Sequence, residues 1–299
     1  MRLFAPAYYQ KFKCIADRCT HSCCVGWEID IDEETYQRYQ QLDHPEGARI
    51  RAGIAVGVDG PCFALDEKER CPNLDARGLC RIISNLGESY LCEICREHPR
   101  FYNVLEDRTE CGVGASCEAA AALILSEDGT ELVQLEGEPC HENRNTCGDF
   151  DAISQRNALF SLLSDRSLPL ARRIKAIREE LQLASITDAA RRASLASLEY
   201  LNEEHRALFV NAALAADAAS LDLPHERFLT YLIYRHASAA EDLLSFRAAV
   251  GMALLLSELF VALCQKGIAP ITAAVTVSEE IEYSTENTAA LQAAISLTK

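Results

Sequence analysis

The 299 residues carry 29 Lys and Arg against 45 Asp and Glu, a formal charge of −16. A chain of this length can bury a large core, as one domain or as two. Its acidity argues against a phosphate-binding face for nucleic acid and against binding to an anionic membrane, while a lysine-bearing protein would be drawn in weakly.

The opening MRLFAPAYYQ lacks the basic-then-apolar pattern of a secretion signal, so a cytoplasmic setting is expected. Helices are predicted at Asp32–Leu42, at Ser84–Cys95 and over the alanine-rich Cys117–Leu125. Asp128-Gly129 predicts a turn and Glu131–Leu135 a short strand, while GVDGP (57–61) and EGEPC (136–140) read as loops. Gly112-x-Gly114 lacks the third glycine of a dinucleotide fingerprint and reads as a turn. A region so poor in long periodic segments needs more than apolar packing to hold it, and bound metal supplies that.

Beyond about Asp149 the pattern becomes helical. A helix is predicted over 151–164, and Leu170, Ile174, Ile177 and Leu181 recur at helical spacing behind Ser167 and Pro169. Further helices are predicted over 187–218, 225–238 and 241–266, the last stopped by Lys266-Gly267 and Pro270, with a tail helix over 285–297. The run AAVGMALLLSELFVALC (248–264) is short for a membrane span and carries Ser257 and Glu258, so it reads as a buried helix, with no membrane partner. The expected fold class is mainly α. A cysteine-rich, largely irregular metal-binding half (1–148) packs on an all-α helical domain (149–299).

The cysteines carry the chemistry. Of fourteen, thirteen lie between Cys14 and Cys147, and Cys264 reads as a small core residue. Reduced cytosolic thiols set this closely are metal ligands more readily than a disulfide framework. Cys14-x4-Cys19-x3-Cys23-Cys24 places four thiols within eleven residues; Cys62, Cys71, Cys80, Cys92, Cys95, Cys111, Cys117, Cys140 and Cys147 follow. Spacing alone leaves both metals open. Only Cys92-x2-Cys95 and Cys19-x3-Cys23 resemble zinc knuckles, and thiolate-rich sites equally suit iron–sulfur clusters.

The segment FKCIADRCTHSCCVGWEIDIDEETYQRY (12–39) resembles the opening of the flagellin lysine-N-methylase family, cysteine-cluster proteins that chelate zinc or iron. The resemblance continues through RCPNLDARGLCRIISNLGESYL (70–91), CREHPRF (95–101) and SCEAAAALIL (116–125), and more weakly at YLIYRH (231–236) and SEEIEYSTEN (278–287). It implies S-adenosylmethionine as methyl donor, a protein lysine as acceptor, on flagellin or another surface protein, and a [4Fe–4S] centre. The thiols that match are Cys14, Cys19, Cys23, Cys24, Cys71, Cys80, Cys95 and Cys117, enough for two four-thiolate sites or for a cluster with an open iron plus a structural site. Cys62, Cys92, Cys111, Cys140 and Cys147 fall on no matched position. His98 stands where the family usually has tyrosine.

Methyl transfer to lysine needs a neutral amine and a route for one proton, for which His98, Tyr102, Tyr234, His236 and Glu282 are candidates. Trp27, Arg100 and Arg235 are the candidates for holding cofactors: the indole by shielding a cluster, and Arg100 by pairing the donor's carboxylate. Ordinary packing accounts for each of these residues as well. Acidic Glu28, Asp30, Asp32, Glu33 and Glu34 either attract a lysine or form a solvated helix start. The rival function is a non-catalytic module that handles zinc or iron, or scaffolds a partner.

Overall fold

A computed structural model describes residues 2–58, 60–136, 150–184, 186–214 and 222–296. The chain forms two compact units, one from residues 13–100 and one from residues 1–12 with 101–299. The division thus falls at 12/13 and 100/101, whereas 148/149 is at the edge of a segment outside the described residues.

In chain order, strand β1 (Arg2–Pro6) comes first. The 13–100 unit then supplies α1 (Glu33–Gln41), α2 (Pro45–Ala52), the antiparallel pair β2 (Ile54–Val56) and β3 (Pro61–Phe63), α3 (Arg81–Leu86) and α4 (Glu93–Glu97). After it come β4 (Arg100–Val104), β5 (Arg108–Val113), α5 (Glu118–Ser126) and β6 (Leu132–Leu135). Among the described residues eight further helices follow: α6 (Ala152–Ser164), α7 (Leu170–Glu180), α8 (Asp188–Ala196), α9 (Glu203–Val210), α10 (Asp222–Ala237), α11 (Leu243–Gln265), α12 (Pro270–Val277) and α13 (Thr285–Ser296). The expected helices are largely present, and the fold is mainly α. What the sequence reading omits is a four-stranded sheet in the order β4-β5-β1-β6, with β1 parallel to β5 and antiparallel to β6. The N-terminal half is therefore less irregular than expected.

The departures have local causes. The predicted Ser84–Cys95 helix is broken at Gly87, whose φ of +93° ends α3, and a 3-10 turn at Glu88–Tyr90 precedes α4. The predicted 187–218 helix splits, because the side chain of Asn202 caps a new start at α9 by accepting from the Glu204 amide. The remainder of that span, 215–221, lies outside the described residues. Gly112 is a strand residue of β5 and not a turn; the Phe101 ring covers it, and a Cβ there would lie 2.6 Å from the ring's Cε1. Pro270 stops one helix and also opens another, α12, as its first residue. α12 runs directly into a single π-helical turn, Ser278–Glu282.

The larger unit is organised around α11, which packs against α10, α12 and α13. This helix is long and apolar enough to cross a membrane, yet 78% of its most apolar window is buried inside the protein, as the reading of 248–264 expects. Asp242 and Ser245 form a reciprocal capping box at its start. A buried ion pair of Arg156 with Glu110 ties α6 to β5, and Arg156 also donates to Ser238 Oγ at 2.7 Å. The smaller unit has a modest core of its own, in which Ile29, Ile31, Tyr39, Ile50, Phe63, Ile82 and Leu91 are joined by Cys71 and Cys92.

Candidate functional site

Backbone pairing explains how distant cysteines meet in the 13–100 unit. The Cys71 amide donates to the Cys24 carbonyl at 2.9 Å, Val25 bridges Arg70, and the Gly26 amide donates to Glu69 O at 2.9 Å. Gly26 holds φ at +79°, a left-handed turn that a side chain disfavours, so the chain bends away directly after the Cys23-Cys24 pair. A second bridge, Leu74 with Cys80, closes a loop in which Asp75 Oδ1 accepts from the Arg77 and Leu79 amides. Asn73 links the loop to the thiols, donating to Cys71 Sγ at 3.7 Å while its own carbonyl accepts from the Arg81 amide.

Asp32 supplies the third tie. One carboxylate oxygen caps α1 by accepting from the Thr35 amide (2.9 Å); the other accepts from the Glu93 amide at the start of α4 (2.8 Å). Burial opposes its charge, but these amide bonds outweigh that and hold its carboxyl below the usual carboxylate range. Cys92 is the residue immediately before α4, so Asp32 fixes the Cys92-x2-Cys95 turn. Tyr39 donates to Tyr90 O at 2.6 Å and braces the chain leading into it. The acidic stretch after Trp27 thus includes a structural clamp.

Six thiols interact as one group: Cys23, Cys24, Cys71, Cys80, Cys92 and Cys95. Within it, Cys24 is hydrogen-bonded to Cys23, and Cys95 to Cys92. The bond from Cys24, with a further bond and the charge of His98, pulls the Cys23 thiol down to about 4. Cys92 is likewise lowered, chiefly by Cys95. The bond to Cys23, then burial, then the nearby sulfur charges push Cys24 well above the thiol range, and Cys95 follows the same pattern with Cys92. Burial raises Cys71 and Cys80. Ionising all six thiols together would concentrate negative charge in a half-buried patch. A thiolate-binding cation removes that conflict, so the donor set fits a metal or an iron–sulfur group. Among the described residues, no three of these sulfurs all lie within 4.8 Å of one another.

Cys92, which the resemblance leaves unmatched, is a full member of this group; its C-x2-C spacing with Cys95 was the available signal. Cys14 is exposed, its sulfur accepting from the Ala16 amide, and the Cys19 thiol donates to His21 O at 2.8 Å. Cys62 lies in β3. Cys117 belongs to the other unit, as the residue before α5, and Cys111 is buried in β5. Cys140 and Cys147 lie outside the described residues. His98, the departure from tyrosine, is the residue that interacts with Cys23, and its peptide bond to Pro99 is cis. Trp27 and Arg100 are half-buried in the same unit, Arg100 donating to Arg96 O at 3.1 Å.

The remaining candidates belong to the larger unit, where the weakly matching segments 231–236 and 278–287 converge. Glu282, on the π-helical turn, accepts from Tyr231 Oη at 3.1 and 3.2 Å, lies 2.8 Å from His236 Nε2 and pairs with Arg235 at 3.6 Å. Arg235 donates to Tyr231 Oη at 2.8 Å and stacks on Phe101 and Tyr283. Burial disfavours the Glu282 carboxylate, but Arg235, His236 and Ser278 outweigh it and keep its pKa below the ordinary value. Tyr234 is instead a core residue, donating to Cys111 O at 2.9 Å, and burial raises its hydroxyl far above the phenol range. Tyr102 is half-buried in β4. A cavity of about 150 Å³ between α7, α11 and α13 includes none of these residues.

No family model matches the chain, and no solved structure matches it. Two curated proteins named lysine-N-methylase, from Salmonella typhimurium and Salmonella choleraesuis, are each 25% identical to it over 197 residues, 62% of this chain. That match spans 49% of each relative, so the chain covers about half the length of these proteins. A flagellar biosynthetic protein FliU from Salmonella muenchen is 25% identical over 128 residues, 41% of this chain and 76% of the relative. These likenesses fit a lysine-N-methylase family, in agreement with the resemblance carried by residues 12–39.

Proposed function

We propose that the chain is a protein lysine N-methylase that takes its methyl group from S-adenosylmethionine, binds a [4Fe–4S] group, and acts in the cytoplasm on flagellin or another lysine-bearing protein. The likeness to two proteins named lysine-N-methylase carries this reading. The thiol group supports its metal part. Zinc–sulfur bonds of ~2.3 Å place the sulfurs of a tetrahedral site about 3.8 Å apart. The hydrogen-bonded pairs Cys23–Cys24 and Cys92–Cys95 are compatible with that spacing, but six interacting thiols exceed the four donors of one zinc, which leaves a polynuclear group as the preferred reading.

The thiolates of Cys23, Cys24, Cys71, Cys80, Cys92 and Cys95 are the ligands from which that group would be held. When bound, the donor supplies an electrophilic methyl carbon to a neutral lysine amine, leaving as a thioether while the amine sheds one proton. The hydrogen bond from Cys24, with His98 second, favours the thiolate of Cys23. In the larger unit, Glu282 lies 2.8 Å from His236 Nε2, and this pair, rather than the core residue Tyr234, is the candidate for handling the amine's proton.

The test is incubation of the anaerobically purified chain with S-adenosylmethionine and flagellin, followed by mass analysis of lysine peptides. Methyl additions that require both protein and donor are the expected result. A metal-replete chain that binds no S-adenosylmethionine by calorimetry would overturn the methylase reading and leave the metal-handling module.

A further inference from the structure

The π-helical turn divides its three carboxylates between two neighbourhoods. Glu282 faces α10, as described above. Glu279 and Glu280 converge instead on His205 of α9, and one ligand atom from each of these three residues lies within 4.8 Å of the others. Both glutamates are buried, at 8% and 2% exposure, while the His205 side chain is 24% exposed and gives the cluster an approach from solvent. π-Helical turns are rare and recur at functional sites.

Glu280 is held from two sides. One oxygen accepts from the Leu201 amide at 2.7 Å, and the other lies 2.5 Å from His205 Nδ1. Asn287 donates to the Glu280 carbonyl at 2.9 Å and to Glu199 O at 2.7 Å, which fixes the backbone beneath the carboxylate. The next cation along α9, Arg206, is paired with Glu203 at 2.9 Å. Two adjacent carboxylates are thus brought out of water with an imidazole at their shared point. First-row cations bind such nitrogen and oxygen donors at ~2.0–2.2 Å, which sets neighbouring ligand atoms about 3 Å apart. A small opening of the 2.5 Å His205–Glu280 contact would reach that bite, and Glu279, with a ligand atom within 4.8 Å of both, would close on the same ion.

We propose that His205, Glu279 and Glu280 form a binding site for one divalent first-row cation of the manganese or iron(II) class, separate from the cysteines. The donor set, one imidazole and two carboxylates, suits these harder ions, whereas the thiols select zinc or iron–sulfur. Water would complete the coordination on the exposed His205 side. The site does not depend on the methylase reading.

Mn2+ is the probe, because thiolates bind it weakly and its aqueous electron-paramagnetic-resonance signal disappears on binding. The full chain should remove one equivalent of the free Mn2+ signal, and Mn2+ should raise its melting temperature. His205→Ala with Glu280→Gln should abolish both effects, and Glu279→Gln, which leaves the Leu201 cap in place, should weaken binding at least about tenfold. A wild-type chain that leaves the signal unchanged would overturn the proposal, as would undiminished binding in the folded Glu279→Gln variant.

Discussion

Glu282 offers the sharpest test of the buried network. Glu282→Gln preserves the shape of the side chain but removes the charge that Arg235 and His236 face. Removing one partner of a buried pair leaves the other uncompensated and costs about 3–5 kcal/mol. Stacking of Arg235 on Phe101 and Tyr283 places the expected loss toward the lower end. For a unit of roughly 200 residues each kcal/mol lowers Tm by ~2–4 °C, so a fall of roughly 6–12 °C is expected at pH 7. The folded pKa of Glu282 lies below its ordinary 4.5. Its contribution is therefore fully present above that pH and is lost as pH falls through the folded value. The gap between wild type and variant should close in acid. Thermal unfolding followed by circular dichroism at a series of pH values provides the assay. Equal melting temperatures at pH 7, or a gap that widens in acid, would refute the reasoning.

Four further outcomes follow from the same structure. His225, 3.1 Å from Ser257 Oγ, is lowered by burial to about 4 from 6.5, so it is neutral in the fold. Stability should decline as pH drops from about 6.5 toward 4, and His225→Gln should flatten that slope in denaturant titrations. Gly112→Ala drives a methyl group into the Phe101 ring and should cost about 1–3 kcal/mol in urea unfolding, with partial recovery by Phe101→Leu. Cys92→Ser should lower the metal content of the purified chain, while Cys62→Ser in β3 should retain it, as read by elemental analysis. Cys264→Ser should leave metal content unchanged and move Tm only slightly.

Much of the helical unit was legible because its signals are local. Asp242, Pro169 and the apolar spacing of 170–181 specify helix starts and faces within a few residues. The sheet was not legible, since β1 and β5 pair in parallel across about a hundred residues and β1 is a short segment without clear alternation. In the 13–100 unit the cysteines announced the chemistry, but their grouping depends on backbone pairs such as Cys24 with Cys71 that no spacing rule encodes. Cys92 carries a local signal, its C-x2-C spacing with Cys95, that the resemblance leaves unused, whereas Cys117, matched by sequence, belongs to the other unit. For Asp32 the sequence offers a lysine lure or a helix start, and its second role, at the Glu93 amide, is hidden because it is non-local. His236 and Glu282 were named singly as proton candidates; their partnership with Arg235 and Tyr231 required the π-helical turn.

The central claim, that the thiols of residues 13–100 hold an iron–sulfur group, is tested most directly by counting metal in the anaerobically purified chain. The expected result is a brown protein with about four irons per chain, matching sulfide, and broad absorption at about 400 nm. A colourless chain carrying zinc in place of iron would contradict it.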